Sequence, residues 1–313
     1  MINISSKFNS LRHARAQGIL TTSKKTLERV KAKTVPKGDV LEVARAAGIQ
    51  AAKRTSEWIV FCHPIPLDWI DLQFELNETR IIVTAEVEAI WKTGVEMEAM
   101  TAVSAALLNI YDMLKPLENN ISFSEIKLLN KQGGKTQFTD VFEQPITAAV
   151  LVISDSTFAG KREDKSGKAI KEFLDKQPVR VTVYEILPDV REKITNRLIE
   201  LVDEHRIQLI FTSGGTGLGP KDLTPEATKP ILDKEVPGIS EAIRRHGRDR
   251  TPFAMLSREL AGFRKESIII NLPGSSKGAK ESLEALFPGL LHGFPMLWGG
   301  GHTKDGKGKK QRS

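Results

Sequence analysis

The sequence predicts two domains of different class. Residues 1–144 read as an α+β domain, an antiparallel sheet with helices on one face. Residues 145–303 read as an α/β domain with a three-layer, mostly parallel sheet. Three observations carry this. Ile70, Leu72, Phe74 and Leu76 alternate with polar residues, and the alternation resumes at Ile81, Val83, Ala85, Val87 and Ala89 after a turn at Asn77-Glu78-Thr79. That two-residue period is a hairpin with one buried face. Ala148 through Ile153 is instead continuously apolar, as in a strand covered on both faces. From there helical and strand patterns alternate as far as Leu272, the order of βαβ units.

Taken in order, Lys37-Gly38-Asp39-Val40 opens a helix through Ala51, with Val40, Val43, Ala44 and Ala47 at helical spacing. After the hairpin, a long apolar helix runs from about Glu98 to Leu114 and stops before Pro116. A short strand, Ile126–Leu129, follows. The pattern changes near Gln144-Pro145, where only a short polar stretch intervenes, so the join is expected to be tight. The second half continues with a helix over Gly167–Lys176, a strand over Val179–Leu187, a helix over Val190–Glu204, and strands over Gln208–Thr212 and Ser267–Leu272. No internal repeat relates the halves.

Composition narrows the function classes. Hydrophobic and charged contents of 40% and 27% are those of an ordinary globular protein, and 313 residues suit two domains. No apolar run approaches the ~20 residues of a membrane span. Met1-Ile2-Asn3-Ile4-Ser5 begins no signal-peptide core, so the expectation is cytoplasmic, without membrane contact. Cys62 is the only cysteine, which excludes an intrachain disulfide and a zinc site built on several thiolates. It reads as a half-buried thiol beside a functional histidine. Of the net charge of +7, four units fall in residues 304–313, five basic residues against Asp305. That stretch reads as a disordered basic tail. With 6% aromatics no stacking platform stands out, so small phosphorylated molecules fit better than nucleic acid.

A first constellation centres on the long helix. Between Val95 and Leu114 the only charged residues are Glu96, Glu98 and Asp112, and Lys115 follows. Carboxylates on an apolar helix are costly unless paired, hydrogen-bonded or functional. Asp112 and Lys115 share a helix face at i, i+3. His63 could exchange protons near neutrality. Lys37, Lys115, Lys131 and Lys135 could gather phosphates, and Gly133-Gly134 would let backbone approach a ligand. Singly, each has a bland reading as a solvated or structural side chain; together they look like an active site.

These residues resemble cyclic pyranopterin monophosphate synthase, the lyase early in molybdenum-cofactor biosynthesis. The resemblance runs from Met1 to about Phe142, through Lys37–Val40, Ala47–Thr55, Cys62-His63-Pro64, Lys92–Ala99, Ile110–Met113 and Lys131–Lys135. It implies a ferredoxin-like α+β fold in which a cyclised dihydro-GTP is rearranged to cyclic pyranopterin monophosphate with loss of pyrophosphate, and no permanently bound cofactor. It makes Asp112 the catalytic acid/base, supported by Lys115 and Lys131. Phe61, Cys62, His63, Met97 and Glu98 would contact substrate, and Lys37 and Glu96 would line the pocket. One departure is Asn3, where the family usually has Asp.

A second constellation is the glycine-rich stretch Ser213-Gly214-Gly215-Thr216-Gly217 after an apolar strand, with Asp222 beyond it. Such a loop can offer backbone N–H groups to phosphate. Ser154-Asp155 and Pro188-Asp189 end neighbouring strands, and carboxylates there could be Mg²⁺ ligands or merely strand-end caps. This half, about Thr147 to His302, resembles the molybdopterin adenylyltransferases related to the first domain of gephyrin. The matching blocks are Ile153–Asp155, Leu187–Asp189, Ser213–Gly217, Asp222–Ala227, Val236–Gly238, Leu256–Arg258 and Asn271–Ser275. The resemblance implies a molybdopterin-binding fold that uses ATP and Mg²⁺, with Asp189 and Asp222 catalytic and metal-binding. Ser154, Asp155, Gly214, Gly215, Thr216 and Gly217 would bind substrate, as would Asn271, Pro273, Gly274 and Ser275. The alternative is a lyase whose second domain only binds pterin or serves as a scaffold. Family assembly implies a homo-oligomer, hexamer or trimer, acting on pterin and nucleotide substrates.

Overall fold

The computed structural model describes residues 1–299; the Lys135 side chain and the tail read at 304–313 lie outside the described residues. Contacts divide the chain into Met1–Gln137 and Phe138 onward.

The first unit comprises β1 (Ser10–Thr21), α1 (Lys24–Lys31), α2 (Val40–Lys53), α3 (Thr55–Trp58), β2 (Trp69–Leu76), β3 (Arg80–Trp91), α4 (Glu96–Leu114) and β4 (Ser122–Gln132). Its strands form one antiparallel sheet in the order β2-β3-β1-β4. The expected hairpin is β2–β3, with Leu72 opposite Ala85 and Phe74 opposite Val83. The expected 126–129 strand is the centre of the longer β4, which pairs with β1 irregularly, with register shifts near Ala16 and Gly18.

The sequence reading passed over β1, which is central. Its inward residues are Ala14, Ala16, Gly18 and Leu20, too small to stand out as an apolar alternation. They are small because α4 lies on them: a Cβ on Gly18 would come 2.7 Å from Leu107 and Val103. Leu107, Ile110 and Leu114 of α4 are wholly buried in this core, each worth roughly 1.5–3 kcal/mol of burial. Asp39 caps α2, accepting from the Glu42 amide.

The second unit comprises β5 (Ile146–Ile153), α5 (Asp155–Phe158), α6 (Ser166–Leu174), β6 (Val179–Leu187), α7 (Arg191–Asp203), β7 (Leu209–Ser213), α8 (Thr224–Thr228), β8 (Lys234–Glu235), α9 (Pro237–Arg248), β9 (Ala261–Arg264), β10 (Ser267–Leu272), α10 (Ser276–Leu286) and α11 (Gly293–Leu297). Strand order is β6-β5-β7-β10-β9-β8; the first four strands are parallel, β9 is antiparallel to β10, and β8 is antiparallel to β9. Ala148 and Val150 face Ile170, Ile243 and Leu283 on one side of the sheet. Ala149, Leu151 and Ile153 face Ile194, Leu198 and Ala227 on the other. This is the three-layer arrangement that the continuous apolar run of β5 requires.

Candidate active sites

In the first unit, α4 begins with Glu96 and Glu98, where carboxylates complement the positive end of the helix. Glu98 is only 3% exposed. Burial pushes its carboxyl up to about 7, and the neighbouring charge of Glu96 adds to the rise. Glu96 pairs with Lys131 of β4 at 3.1 Å. An open cavity of about 580 Å³ lies here, lined by Phe61, Cys62, His63, Glu96, Met97 and Glu98 together with Lys7 and the first residues of the chain. The Cys62 thiol is pushed up by burial and then by the Glu98 charge. Arg12, largely enclosed, donates to the carbonyls of Trp91 and Lys92 and so fixes the turn that enters α4.

At the other end of α4, Asp112 accepts ion pairs from Lys37 and Lys115, both at 2.7 Å. These hydrogen bonds, Lys115 first, hold its carboxyl down at about 2. The i, i+3 reading of Asp112 and Lys115 holds, and Lys37 joins them from the loop before α2. Asp112 is exposed, however, so ion pairing rather than an apolar setting controls its charge. Glu98 is the acid that burial perturbs. The sixteen residue steps from Glu96 to Asp112 span about 24 Å of helix. One chain therefore does not gather all the expected residues: Lys37, Asp112 and Lys115 stand at one end of α4, and Lys131, Glu96, Glu98 and the Phe61–His63 loop at the other.

In the second unit the strand ends of β5, β6, β7 and β10 meet along one edge. Asp155 and Asp189 clasp each other: the Asp155 amide donates to Asp189 Oδ2 at 2.8 Å, and the Asp189 amide to Asp155 Oδ1 at 3.0 Å. Lys221 pairs with Asp155 at 3.0 Å. Asp189 is pushed up by burial, with the charges of Asp155 and Asp222 adding to the rise. Asp222 Oδ2 accepts from the Gly219 amide at 2.8 Å.

Gly214 and Gly215 have φ of 111° and 63°, a region that side chains disfavour. A Cβ on Gly214 would strike the Ile153 carbonyl, and one on Gly215 the Thr224 hydroxyl. The loop is thus drawn tight between β5 and α8. Gly274 lies against Gly214, joining the two glycine turns, and Ser275 caps α10 by accepting from the Gly278 amide at 3.1 Å. Pro273 is tied to β7 through its carbonyl, which accepts from Ser213. Ser154 caps α5, accepting from the Thr157 amide.

Asn271 departs from the expected ligand-facing place. Its side chain is wholly buried and donates to the hydroxyls of Thr212 and Thr228. As an inward residue of β10 it ties that strand to β7 and α8 instead. Sequence reasoning gave no site role to Arg258, which donates to the carbonyls of Gly217, at 2.7 Å, and Asp222, and pairs with Glu226. Its own amide donates to the Thr216 carbonyl at 2.9 Å. The signal available was the Leu256-Ser-Arg258 block, read only as a family match.

Asp189 and Asp222 are near enough for the charge of one to act on the other, and two carboxylates so placed are of the oxygen-donor type that suits Mg²⁺. Among the described residues no group of three or more His, Cys, Asp or Glu side chains forms a metal site by itself.

Two folds, each presenting carboxylates beside cations, define a fused enzyme with two activities. The MoaC family model matches residues 1–134, and that of the probable molybdopterin binding domain matches residues 149–292. Over 303 residues the chain is 41% identical to a molybdenum cofactor biosynthesis bifunctional protein of Chlorobaculum tepidum, covering 97% of this chain and 96% of that one. It is 49% identical over 138 residues to a cyclic pyranopterin monophosphate synthase of Heliobacterium modesticaldum, covering 44% of this chain and 87% of that one. It is 43% identical over 159 residues to a molybdopterin adenylyltransferase of Helicobacter pylori, covering 50% of this chain and 90% of that one. The chain belongs to the family of bifunctional molybdenum cofactor biosynthesis proteins.

Proposed function

We propose that the first domain converts a cyclised dihydro-GTP to cyclic pyranopterin monophosphate and pyrophosphate, and that the second adenylylates molybdopterin with ATP. What carries the reading is the likeness along nearly the whole chain to a bifunctional protein, joined to two sites whose chemistry suits it. In the first, Lys37 and Lys115 offer cations to the triphosphate, the leaving group in this reaction. As they turn to phosphate, Asp112 loses the partners that keep its pKa low and gains proton affinity. Glu98, poised near neutrality, can give or take a proton.

The half-sites at the two ends of α4 support a homo-oligomer in which Asp112 of one copy completes the pocket at Glu96 and Glu98 of another. A hexamer or trimer would meet this requirement.

In the second site, the Gly214 amide is held by the Leu272 carbonyl at 3.1 Å, so the amides of Gly215 to Gly217 and the α10 N-terminus would receive phosphate, and Asp189 and Asp222 would hold Mg²⁺. When bound, the metal neutralises charge on the phosphates. The chain itself supplies positioning, which is most of what phosphoryl transfer asks. The family-model description as a binding domain favours one other reading, a second domain that holds pterin without adenylylating it. Incubating the purified chain with each substrate set, and assaying pyranopterin, pyrophosphate and adenylyl-molybdopterin, tests both activities. ATP turnover absent with molybdopterin bound would support the binding-only reading.

A further inference from the structure

Lys221 stands in the turn that joins the glycine loop to Asp222, and that turn is fixed from several sides. The Asp222 amide donates to the Gly219 carbonyl at 3.0 Å, and Asp222 Oδ2 accepts from the Gly219 amide at 2.8 Å. Arg258 holds the Gly217 and Asp222 carbonyls, before and after the turn. The backbone at Lys221 is therefore held, while its side chain is 79% exposed. Its ammonium crosses to Asp155 Oδ2, at 3.0 Å, although the two residues are 66 apart in the chain. Asp155 then has both oxygens engaged, since Oδ1 accepts from the Asp189 amide at 3.0 Å. Asp189 in turn feels the charges of Asp155, Asp222 and Lys221. Lys221 thus offsets part of the negative charge that these carboxylates gather beside the loop.

We propose that Lys221 is a catalytic residue of the second site, a cation that Asp155 holds until Mg·ATP binds and that then passes to the outer phosphates. The inference rests on the reading of the glycine loop as the ATP-phosphate site. An ion pair between exposed side chains is worth little, so Asp155 releases the lysine readily to a polyphosphate carrying several charges. The ammonium is a compact charge on a flexible stem, suited to such an exchange. Divalent charge at Asp189 and Asp222 replaces it among the carboxylates. In the transfer, a bond forms between a phosphate oxygen of molybdopterin and the α-phosphorus of ATP. The bond from that phosphorus to the oxygen shared with the β-phosphate breaks, and its electron pair leaves with pyrophosphate. Lys221 meets the charge that develops on this leaving group. It needs to move no proton.

The test is binding of Mg·ATP, of AMP and of Mn²⁺ alone to the full chain, in wild type, Lys221→Met and Lys221→Arg. Calorimetry reads the nucleotides, and electron paramagnetic resonance reads Mn²⁺ as a stand-in for Mg²⁺. Methionine keeps an unbranched stem without the charge, and arginine keeps the charge. Lys221→Met is expected to bind Mg·ATP about 10-fold more weakly, the scale of one hydrogen bond from a charged donor. AMP, which lacks the outer phosphates, should bind alike in all three, and Lys221→Arg should recover most of the ATP affinity. Mn²⁺ alone should bind Lys221→Met about 5-fold more tightly, because a competing cation has gone. A merely structural lysine would weaken the three probes together. Unchanged Mg·ATP affinity in Lys221→Met, an equal loss for AMP, or Mn²⁺ binding that fails to tighten overturns the role of Lys221 while leaving the nucleotide site standing. No Mg·ATP binding by wild type overturns the nucleotide reading and this inference with it.

Discussion

Lys37 Nζ reaches both Asp112 Oδ2, at 2.7 Å, and the Asp112 carbonyl oxygen, at 2.9 Å. That carbonyl is among the last four of α4, which have no acceptor role within the helix. One lysine therefore caps the helix and holds the acid that the lyase reading makes catalytic. The Lys115 ammonium completes the clamp from one turn away. On the proposed function, ligand phosphate that drew these lysines off would raise the proton affinity of Asp112 without touching it.

Asp112→Asn is expected to abolish cyclic pyranopterin formation while leaving the fold intact, since Asp112 is exposed and its loss opens no cavity. Loss of a general acid/base commonly costs ~10²–10⁴-fold. Turnover within a few-fold of wild type, with unchanged circular dichroism, would remove Asp112 from the mechanism.

Glu98 makes the stability of the first domain depend on pH. Its carboxyl sits at about 7 in the fold against an ordinary 4.5. Between those values the folded chain holds a proton that the unfolded chain has lost, so stability falls as pH rises through the window. Glu98→Gln should remove this loss and gain about 1–3 kcal/mol at pH near 8 relative to wild type. Urea unfolding followed by tryptophan fluorescence reads it, because Trp58, Trp69 and Trp91 lie in this unit. A variant as pH-sensitive as wild type would put the burial cost of Glu98 elsewhere.

How much of this was legible in the sequence follows from range. The Asp112–Lys115 pair is local, fixed by helical spacing, and so was readable. Lys37 is seventy-five residues from Asp112, and nothing short of the fold or a family likeness brings them together. The hairpin showed because its inward residues are large, whereas β1 hid because its inward residues must be small to admit α4. Arg258 was missed as a site residue because its role is a long-range one: it lies 41 residues from the Gly217 carbonyl it holds, so the Leu256-Ser-Arg258 block gave the match without the role.

Asp222→Ala is expected to remove Mg·ATP-dependent adenylylation without altering the first activity. Asp222 is one of the two proposed metal ligands and also receives the Gly219 amide. The two reactions are not consecutive in the pathway, so no channelling between the sites is expected. Separated halves that together ran far more slowly than the fused chain on the same substrates would contradict that independence.

Arg258→Met should leave the sheet intact but release the carbonyls of Gly217 and Asp222. Hydrogen bonds from a charged donor are worth about 1.5–3 kcal/mol each. A fall in adenylylation of at least 10-fold is therefore expected, mostly through weaker nucleotide binding. Pyranopterin synthesis by the same preparation serves as the internal control. An unchanged dissociation constant for Mg·ATP would show that the loop holds its shape without this arginine.

The last prediction concerns how the first site is assembled. Within one chain the Lys37–Asp112–Lys115 cluster and the Glu96–Glu98–Lys131 cluster stand at opposite ends of α4, about 24 Å apart along the helix. No side chain bridges that span, so a pocket using both clusters draws them from different copies. Asp112→Asn and Glu98→Gln are each expected to be inactive alone. Unfolded separately and refolded together in equal amounts, they should regain about a quarter of wild-type turnover, because a quarter of the mixed pockets then carry neither substitution. Light scattering on the same material should find a trimer or hexamer. If each chain held a whole site, mixing would restore nothing, and a stable monomer or lone dimer with full lyase activity would rule out a pocket shared in a trimer or hexamer.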